Sequence, residues 1–413
     1  MEATANGGAV AMQDRAARAR EWIRVLSEMP ERFAGTAGEG LAADRIGAWM
    51  RDIGVSDVSV VPAPGRPSTA MLFALHGGLG ALACWWGGIL GSLLALLAAW
   101  SFSRDLRLGR PVLARMLPTP SSVNVIGRIG ADHAAQRVVL SAHIDTAQAG
   151  FIFRPFWADF FSRVQQRREG PPPGALALPE IILFLGAGVT VVTWLGAHGF
   201  LMGLVRVAVI LALLVVCGVG LEWLASPPTP GANDNASAVS AMLLCAEKLR
   251  SELPPDAELW VVGTGAEEDG CNGMHAFVAQ HRDWPTDTSR FINFECVGGG
   301  TMHYIRSEGM LLRTVYPPTL QELARRVAAG NDFGTVTPVD LLAATDGYVP
   351  AARGYPSLSL ICLERNGVPR NYHLIEDTVD GVDLDSVLRA ADFAAAVARA
   401  ALHGATGPLV EGC

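Results

Sequence analysis

Two stretches of this chain carry almost no charge, and they limit its possible folds more than any other feature. Between Ala70 and Trp100 there is no Asp, Glu, Lys or Arg, and between Ala175 and Ala225 there are only Glu180, Arg206 and Glu222. Both stretches exceed the roughly 20 apolar residues that an α-helix needs to cross a bilayer. The second breaks at "GAHG", Gly196 to Gly199, which leaves two arms of helical length and predicts a helix pair with a tight turn. The first is long for one span and short for two. Its "WWGG", Trp85 to Gly88, offers a turn, and its second arm can run on through Phe102. A short helical hairpin is expected there as well.

Composition supports a lipid environment over buried core helices. A mean hydropathy of +0.29 with 17% charged residues is too apolar for an ordinary soluble chain, and uncharged runs of this length are rare in soluble cores. The formal charge of −8 argues against a nucleic-acid partner, which would call for a basic surface. The seven cysteines are scattered, with no C-x-x-C pair, and read as free thiols in a reducing compartment. The start, "MEATANGGAVAMQDRAARAREWIRVL", lacks an uninterrupted apolar core behind a basic end and reads as an amphipathic helix from near Gln13, not a secretory signal.

The segments outside the apolar blocks look like parts of one soluble domain, so each block should cross the membrane an even number of times. Arg104, Arg107, Arg110 and Arg115 follow the first block and Arg154, Arg163, Arg167 and Arg168 precede the second, whereas neither turn is charged. The positive-inside rule then puts the soluble part in the cytoplasm, at the cell (inner) membrane. The expected division is catalytic segments at 1–68, 104–175 and 226–413, with transmembrane hairpins at 69–103 and 176–225.

With the blocks set aside, the pattern alternates. Helical periodicity at 13–29 and 39–53 precedes strands at "VSDVSVV", "SVNVIGRI" and "RVVLSAHID". A helix over 236–253, a strand at "AELWVVGTG", a helix near 273–281 and a strand at "RFINFECV" follow. Then come a helix around 320–329, a strand at "SLSLICLE" and a closing helix over 384–402. Strands alternating with helices predict an α/β fold, a three-layer α/β/α sandwich on a mostly parallel mixed sheet. Ligand sites in such sheets lie beyond the carboxyl ends of the strands.

Acidic and histidine clusters fall at those strand ends. "SAHIDT" puts His143 and Asp145 on one face, an imidazole beside a carboxylate that can orient it. "GANDNASA" puts Asp234 at the mouth of a helix, where an N-cap is the plainer reading. "GTGAEEDG" carries adjacent Glu267 and Glu268, "FINFECVGG" sets Glu295 among apolar residues, and "RNYHLIEDT" supplies Tyr372, His373 and Asp377. A carboxylate in an apolar strand is costly unless it is paired or bound to metal. Two histidines and three carboxylates, with one glutamate to spare, suit two zinc ions sharing a carboxylate.

In this order of motifs, "HID", "GANDNAS", "AEEDG", "NFECVG" and "YHLIEDT", the sequence resembles the M28 zinc exopeptidases, which include leucyl aminopeptidases and glutamate carboxypeptidase. "RFAGTAGEGLAADRIGAWMRDIGV" looks like the family's N-terminal helix. The resemblance covers nearly all of the soluble part and leaves the apolar blocks unexplained. It implies one zinc on His143, Asp234 and Glu295, and a second on Asp234, Glu268 and His373. It also implies a cis Asp234–Asn235 bond, Glu267 as general base, Asp145 as the residue orienting His143, and Tyr372 as donor to the oxyanion. The implied substrate is a peptide.

Three positions depart from the family pattern: Ala238 where Gly is usual, Glu295 where many aminopeptidases have Asp, and Asp346 in "TDGYVPAARGYPS", a candidate substrate contact. Cys271, His275 and His303 read as structural or surface residues. A glutaminyl-cyclase-like enzyme would use a single zinc, and an inactive peptidase-like membrane receptor would have lost ligands. Neither expectation fits the complete set.

Overall fold

The computed structural model describes residues 2–106, 112–130, 134–157, 159–160, 177–309, 313–330 and 333–403. Arg107, Arg110, Arg163, Arg167, Arg168 and Cys413, used above in the charge and cysteine arguments, lie outside the described residues.

The chain opens with α1 (Glu2–Ser27), which starts well before the Gln13 expected from its periodicity, then α2 (Ala37–Asp52) and β1 (Ser56–Pro64). Thr36 caps α2 by accepting from the Glu39 N–H, and Glu39 reaches back to the Gly35 N–H, so one free helix-end donor and the N–H just ahead of the cap are satisfied. Next come α3 (Thr69–Trp86) and α4 (Gly88–Leu106), then β2 (Ser121–Gly130) and β3 (Gln136–His143). The second apolar pair is α5 (Leu178–Trp194) and α6 (Phe200–Ala225).

After α6 the order is α7 (Ala238–Arg250), β4 (Ala257–Thr264), α8 (Asn272–Gln280), β5 (Ser289–Glu295), β6 (Thr301–Glu308) and β7 (Thr314–Val315). Then follow α9 (Pro318–Ala329), β8 (Thr337–Leu341), the short α10 (Tyr348–Ala351), β9 (Ser357–Leu363) and α11 (Leu384–Leu402). β6, β7 and β8 were not anticipated. Their sequences are polar or contain Pro, and they occupy one end of the sheet, where no two-sided burial enforces an apolar run.

The strand order is β1-β2-β4-β3-β5-β9-β6-β7, with β8 also paired to β6. The central four, β4-β3-β5-β9, run parallel, and the pairings β1–β2, β2–β4, β6–β9 and β6–β7 are antiparallel. Alternate residues of β3 serve opposite faces. Val138, Leu140 and Ala142 join the large core beneath α1, α7 and α11, while Val139 joins the second core with Met274 and Phe277 of α8. The parallel strands therefore end together, with His143 and Glu295 as the last residues of β3 and β5.

The four apolar helices form a separate bundle with its own core, which includes Phe73, Cys84, Phe102, Leu183 and Leu213. α3 and α6 run antiparallel in close contact. A Cβ at Gly77 would lie 2.7 Å from the Cys217 nitrogen, and one at Gly220 would lie 2.4 Å from the Ala74 nitrogen. Small residues that let backbones approach in this way are how helices associate where solvent gives no hydrophobic drive. By length and apolarity, α3 and α6 can each cross a bilayer, and α5, at 17 residues, is shorter. α6 is only 11% buried in its most apolar stretch. Arg206, one turn inside α6, donates to the carbonyl oxygens of Cys84 (2.8 Å) and Trp85 (2.6 Å), so it satisfies the free end of α3.

Candidate metal centre

Three strand ends and two loops bring the site together. The His143 Nε2 atom lies 3.2 Å from Asp234 Oδ1 and 3.3 Å from Glu295 Oε1. The His373 Nε2 atom lies 3.2 Å from the other Asp234 oxygen, Oδ2, and 3.1 Å from Glu268 Oε2. Each trio, His143–Asp234–Glu295 and Asp234–Glu268–His373, offers ligand atoms within 4.8 Å of one another, so one carboxylate serves both.

The donor set fits a pair of cations better than it fits itself. His373 Nε2, Asp234 Oδ2, Glu268 Oε1 and Glu295 Oε2 are buried and make no hydrogen bond among the described residues. Nitrogen and oxygen atoms at hydrogen-bond distance but out of alignment converge on a point between them, as ligands do. Leaving them unpaired would be expensive in a site this dry. Without an ion, the carboxylates overcome burial and hold His143 well above its usual range, and they raise His373 to about 10.

The loop bearing Asp234 is pinned from three sides. The Asp234–Asn235 peptide bond is cis, as the resemblance implied. Asp377 accepts from the N–H groups of Asn233 (2.9 Å) and Asp234 (3.0 Å), and burial lifts its carboxyl to about 7 against those two bonds. Arg32 is buried at 2% exposure and donates to the carbonyls of Ile144, Pro230 and Gly231, so it ties the loop after β3 to the loop before α7. Burial lowers its pKa to about 10, while Asp145, Asp377, Asp234 and Glu268 keep it charged. Asn235 completes the frame. Its Oδ1 accepts from the Cys296 N–H and its Nδ2 donates to the Phe294 carbonyl, bracketing Glu295.

Asp145 does more than orient an imidazole. Its backbone oxygen lies 3.1 Å from His143 Nδ1, and its two carboxylate oxygens accept from the Glu267 (3.1 Å) and Glu268 (3.2 Å) N–H groups. One residue thus sets a first-trio histidine and the Glu-Glu turn together. Glu267 Oε2 lies 3.9 Å from His143 Nε2, and Cys271 Sγ donates to Glu267 Oε1 at 3.6 Å. Burial pushes the Glu267 carboxyl well above the usual range, His143 pulls it back, and Glu295, Asp346 and Glu268 push it further up.

Non-glycine residues with positive φ mark the same spots: Ala266 (49°) before Glu267, Cys296 (45°) after Glu295, and His373 itself (53°). Clustered outliers of this kind are typical of positions held for function. Tyr372 stacks on the His373 imidazole at 3.9 Å, and the Phe153 ring packs edge-on to it at 4.3 Å.

Asp346, read from sequence as a candidate substrate contact, is fully buried and hydrogen-bonded to Thr264, with its carboxyl raised to about 7 by burial. Cys271 is buried against Glu267. His275 lies 3.3 Å from Arg353, and His303 lies 3.0 Å from Thr337.

Residues 219–398 match the family described as Peptidase family M28. That part of the chain is similar to peptidase family M28. The similarity supports a zinc-dependent, peptidase-type hydrolase. The endoplasmic reticulum metallopeptidase 1 of Mus musculus is 28% identical over 182 residues, 41% of this chain and 19% of the relative, so the match spans about a fifth of the length of the curated relative.

Among solved structures, a zinc aminopeptidase from Bacillus subtilis is similar with a TM-score of 0.56 and 16% identity, covering 93% of this chain and 94% of that one. A glutaminyl cyclase from Bacteroides thetaiotaomicron is similar with a TM-score of 0.52 and 14% identity, covering 92% and 96%. At those identities the likeness is one of fold.

Arg32 and Asn235 were not singled out in the sequence, and Asp377 was noted without a role. Each works through backbone groups of loops distant in sequence. A buried arginine does leave one signal: Arg32 precedes "FAGTAGEG" with no helical or strand period to explain it.

Proposed function

We propose that this chain is a membrane-anchored dizinc exopeptidase of the M28 type, with aminopeptidase activity favoured. The observation that carries this reading is that Asp234 offers one carboxylate oxygen to each of two complete trios. His143 and Glu295 would hold one zinc with it, and Glu268 and His373 the other. Zinc bound there supplies Lewis-acid polarisation and lowers the pKa of water.

The rest of the chemistry belongs to side chains. Glu267, buried beside the first trio, takes the proton of the attacking water and hands it to the leaving amine. Its raised pKa suits an acid that must give the proton back near neutrality. Asp145 holds the Glu267 backbone so that this carboxylate cannot drift from His143. Tyr372, held flat against His373, donates to the carbonyl oxygen as charge builds on it.

The apolar helices would cross the membrane as two hairpins, with the catalytic segments on the cytoplasmic side. This is supported by Arg104, Arg115 and Arg154 at the domain end of the bundle and by the bonding of Arg206 to α3 at the other.

The test is to assay the full chain in detergent against free amino-acyl amides and N-blocked dipeptides, with and without a chelator. Chelator-sensitive release of free N-terminal residues is the expected result. Cleavage of blocked dipeptides alone would shift the reading to a carboxypeptidase. Cyclisation of N-terminal glutamine without hydrolysis would replace it with the cyclase, whose fold this chain shares.

A further inference from the structure

The segment that follows the first metal-ligand loop faces outward and is strongly aromatic. Phe151 is 54% exposed, Phe156 is 69% exposed and Phe160 is 48% exposed, and all three pack edge-on around Trp157. Large apolar residues clustered on a surface mark an interaction site. The mechanism above uses none of the four.

The placement of this segment identifies what covers it. The Phe151 N–H donates to the Glu222 carboxylate (3.1 Å), and the Trp223 indole donates to the Gln148 carbonyl (3.0 Å), so the segment is fastened to the last turn of α6. Strand-like bonds Ala149 N to Pro227 O and Thr229 N to Ala147 O join the two chain exits. The outward face of α6 is apolar along its length, with Leu211, Val215 and Leu221 each more than half exposed, and Leu221 sits beside the fastening point.

The exposed aromatics thus continue an apolar surface at the level where the first charged residue of that helix end appears. Tryptophan and other aromatics gather at this depth of a membrane protein, between hydrocarbon and headgroups. Exposed Arg154 and Arg115, the latter beside 81%-exposed Met116, supply cations for anionic headgroups.

The same segment reaches the metal centre. The Phe153 ring packs edge-on to Trp223 at 5.0 Å and to the His373 imidazole at 4.3 Å. A single ring therefore separates a residue at the bilayer edge from a ligand of the second trio.

We propose that the aromatic segment around Phe151, Phe156 and Phe160 embeds in the headgroup layer of the bilayer, holding the metal centre at the membrane surface to act on peptides anchored in that layer. This rests on the membrane-anchored peptidase reading and adds to it a substrate class, peptides carrying a lipid or apolar anchor.

Two measurements on the full chain in phosphatidylcholine vesicles containing phosphatidylglycerol test it. In the first, p-benzoylphenylalanine placed at position 156 is irradiated, and the same residue at position 322 on α9, where the Glu322 side chain is 43% exposed, serves as control. A phospholipid adduct at 156 and none at 322 is expected, and no adduct at 156 overturns the docking whatever the activity. In the second, the double variant Phe151→Ser/Phe156→Ser is compared with the natural chain on a soluble amino-acyl amide and on a peptide bearing a C-terminal acyl chain. The variant should lose about tenfold or more in kcat/KM on the acylated peptide and keep its rate on the soluble one. Equal losses, or none, overturn the proposal. If the natural chain cleaves neither substrate, the peptidase reading and the substrate class fall together, and the adduct still decides the docking.

Discussion

The bundle and the sandwich are built inside out relative to each other. In the sandwich, the buried positions at the strand ends and their loops include Asp145, Asp234, His143 and Arg32, while most apolar side chains are also inside. In the bundle, Gly77 and Gly220 face the neighbouring helix, and Leu211, Val215 and Phe200 face out. On the proposed membrane reading, the difference lies in the solvent each region is built for. Water rewards hiding apolar surface and tolerates buried charge only where partners or ions answer it. Lipid would give no such reward, and close backbone contact would then hold the bundle together.

The largest expected effect is in the charged interior. Glu267→Gln should retain metal and lose turnover by about 100- to 10,000-fold, the usual scale for a general base, measured as kcat on an amino-acyl amide. Retained turnover would put the base elsewhere. Next is the bundle interface, where Gly220→Leu forces a side chain onto the α3 backbone and should cost about 1–3 kcal/mol, read as a lower unfolding temperature in detergent. A neutral result would mean that α3 and α6 are not in contact.

The response to pH should separate metal-free from metal-loaded protein. Glu39, Asp346 and Asp377 are each raised to about 7, Glu308 to about 8 and His373 to about 10. Raised values mean that the folded state binds the extra protons. Their stabilisation is therefore full below the unfolded values and is lost as pH climbs through the folded ones. Asp234, held low, acts in the opposite sense only below about pH 4. Chelated protein should therefore melt at a lower temperature at pH 8.5 than at pH 6. Zinc binds better to deprotonated ligands, so it should flatten or reverse that slope. Parallel slopes with and without zinc would break the link between these groups and the ion. The smallest effect is on the outward face of α6, where Val215→Ala should change stability by less than about 0.5 kcal/mol.

The sequence made the parallel core legible because strands buried on both faces must be apolar runs ending in turns, as "RVVLSAHID" and "RFINFECV" do. The two candidate trios were legible because histidine and acidic residues cluster at the ends of those strands and follow the motif order of the resemblance. The β6–β8 end of the sheet was hidden because an edge partly open to water accepts Pro338 and charged residues. The supports Arg32, Asp377 and Asn235 were hidden because they act on backbone groups, which leave no trace in side-chain spacing. The start of α1 was missed because the Gly- and Ala-rich "ATANGGAVA" carries little periodicity.

Everything proposed for the site turns on Asp234 serving two ions, so the most direct measurement is metal content. The full chain, purified gently in detergent and analysed by mass spectrometry for zinc, should hold close to two equivalents. Asp234→Asn should lose most of both together. One equivalent in the natural chain, or a variant that loses only one, would contradict a shared carboxylate.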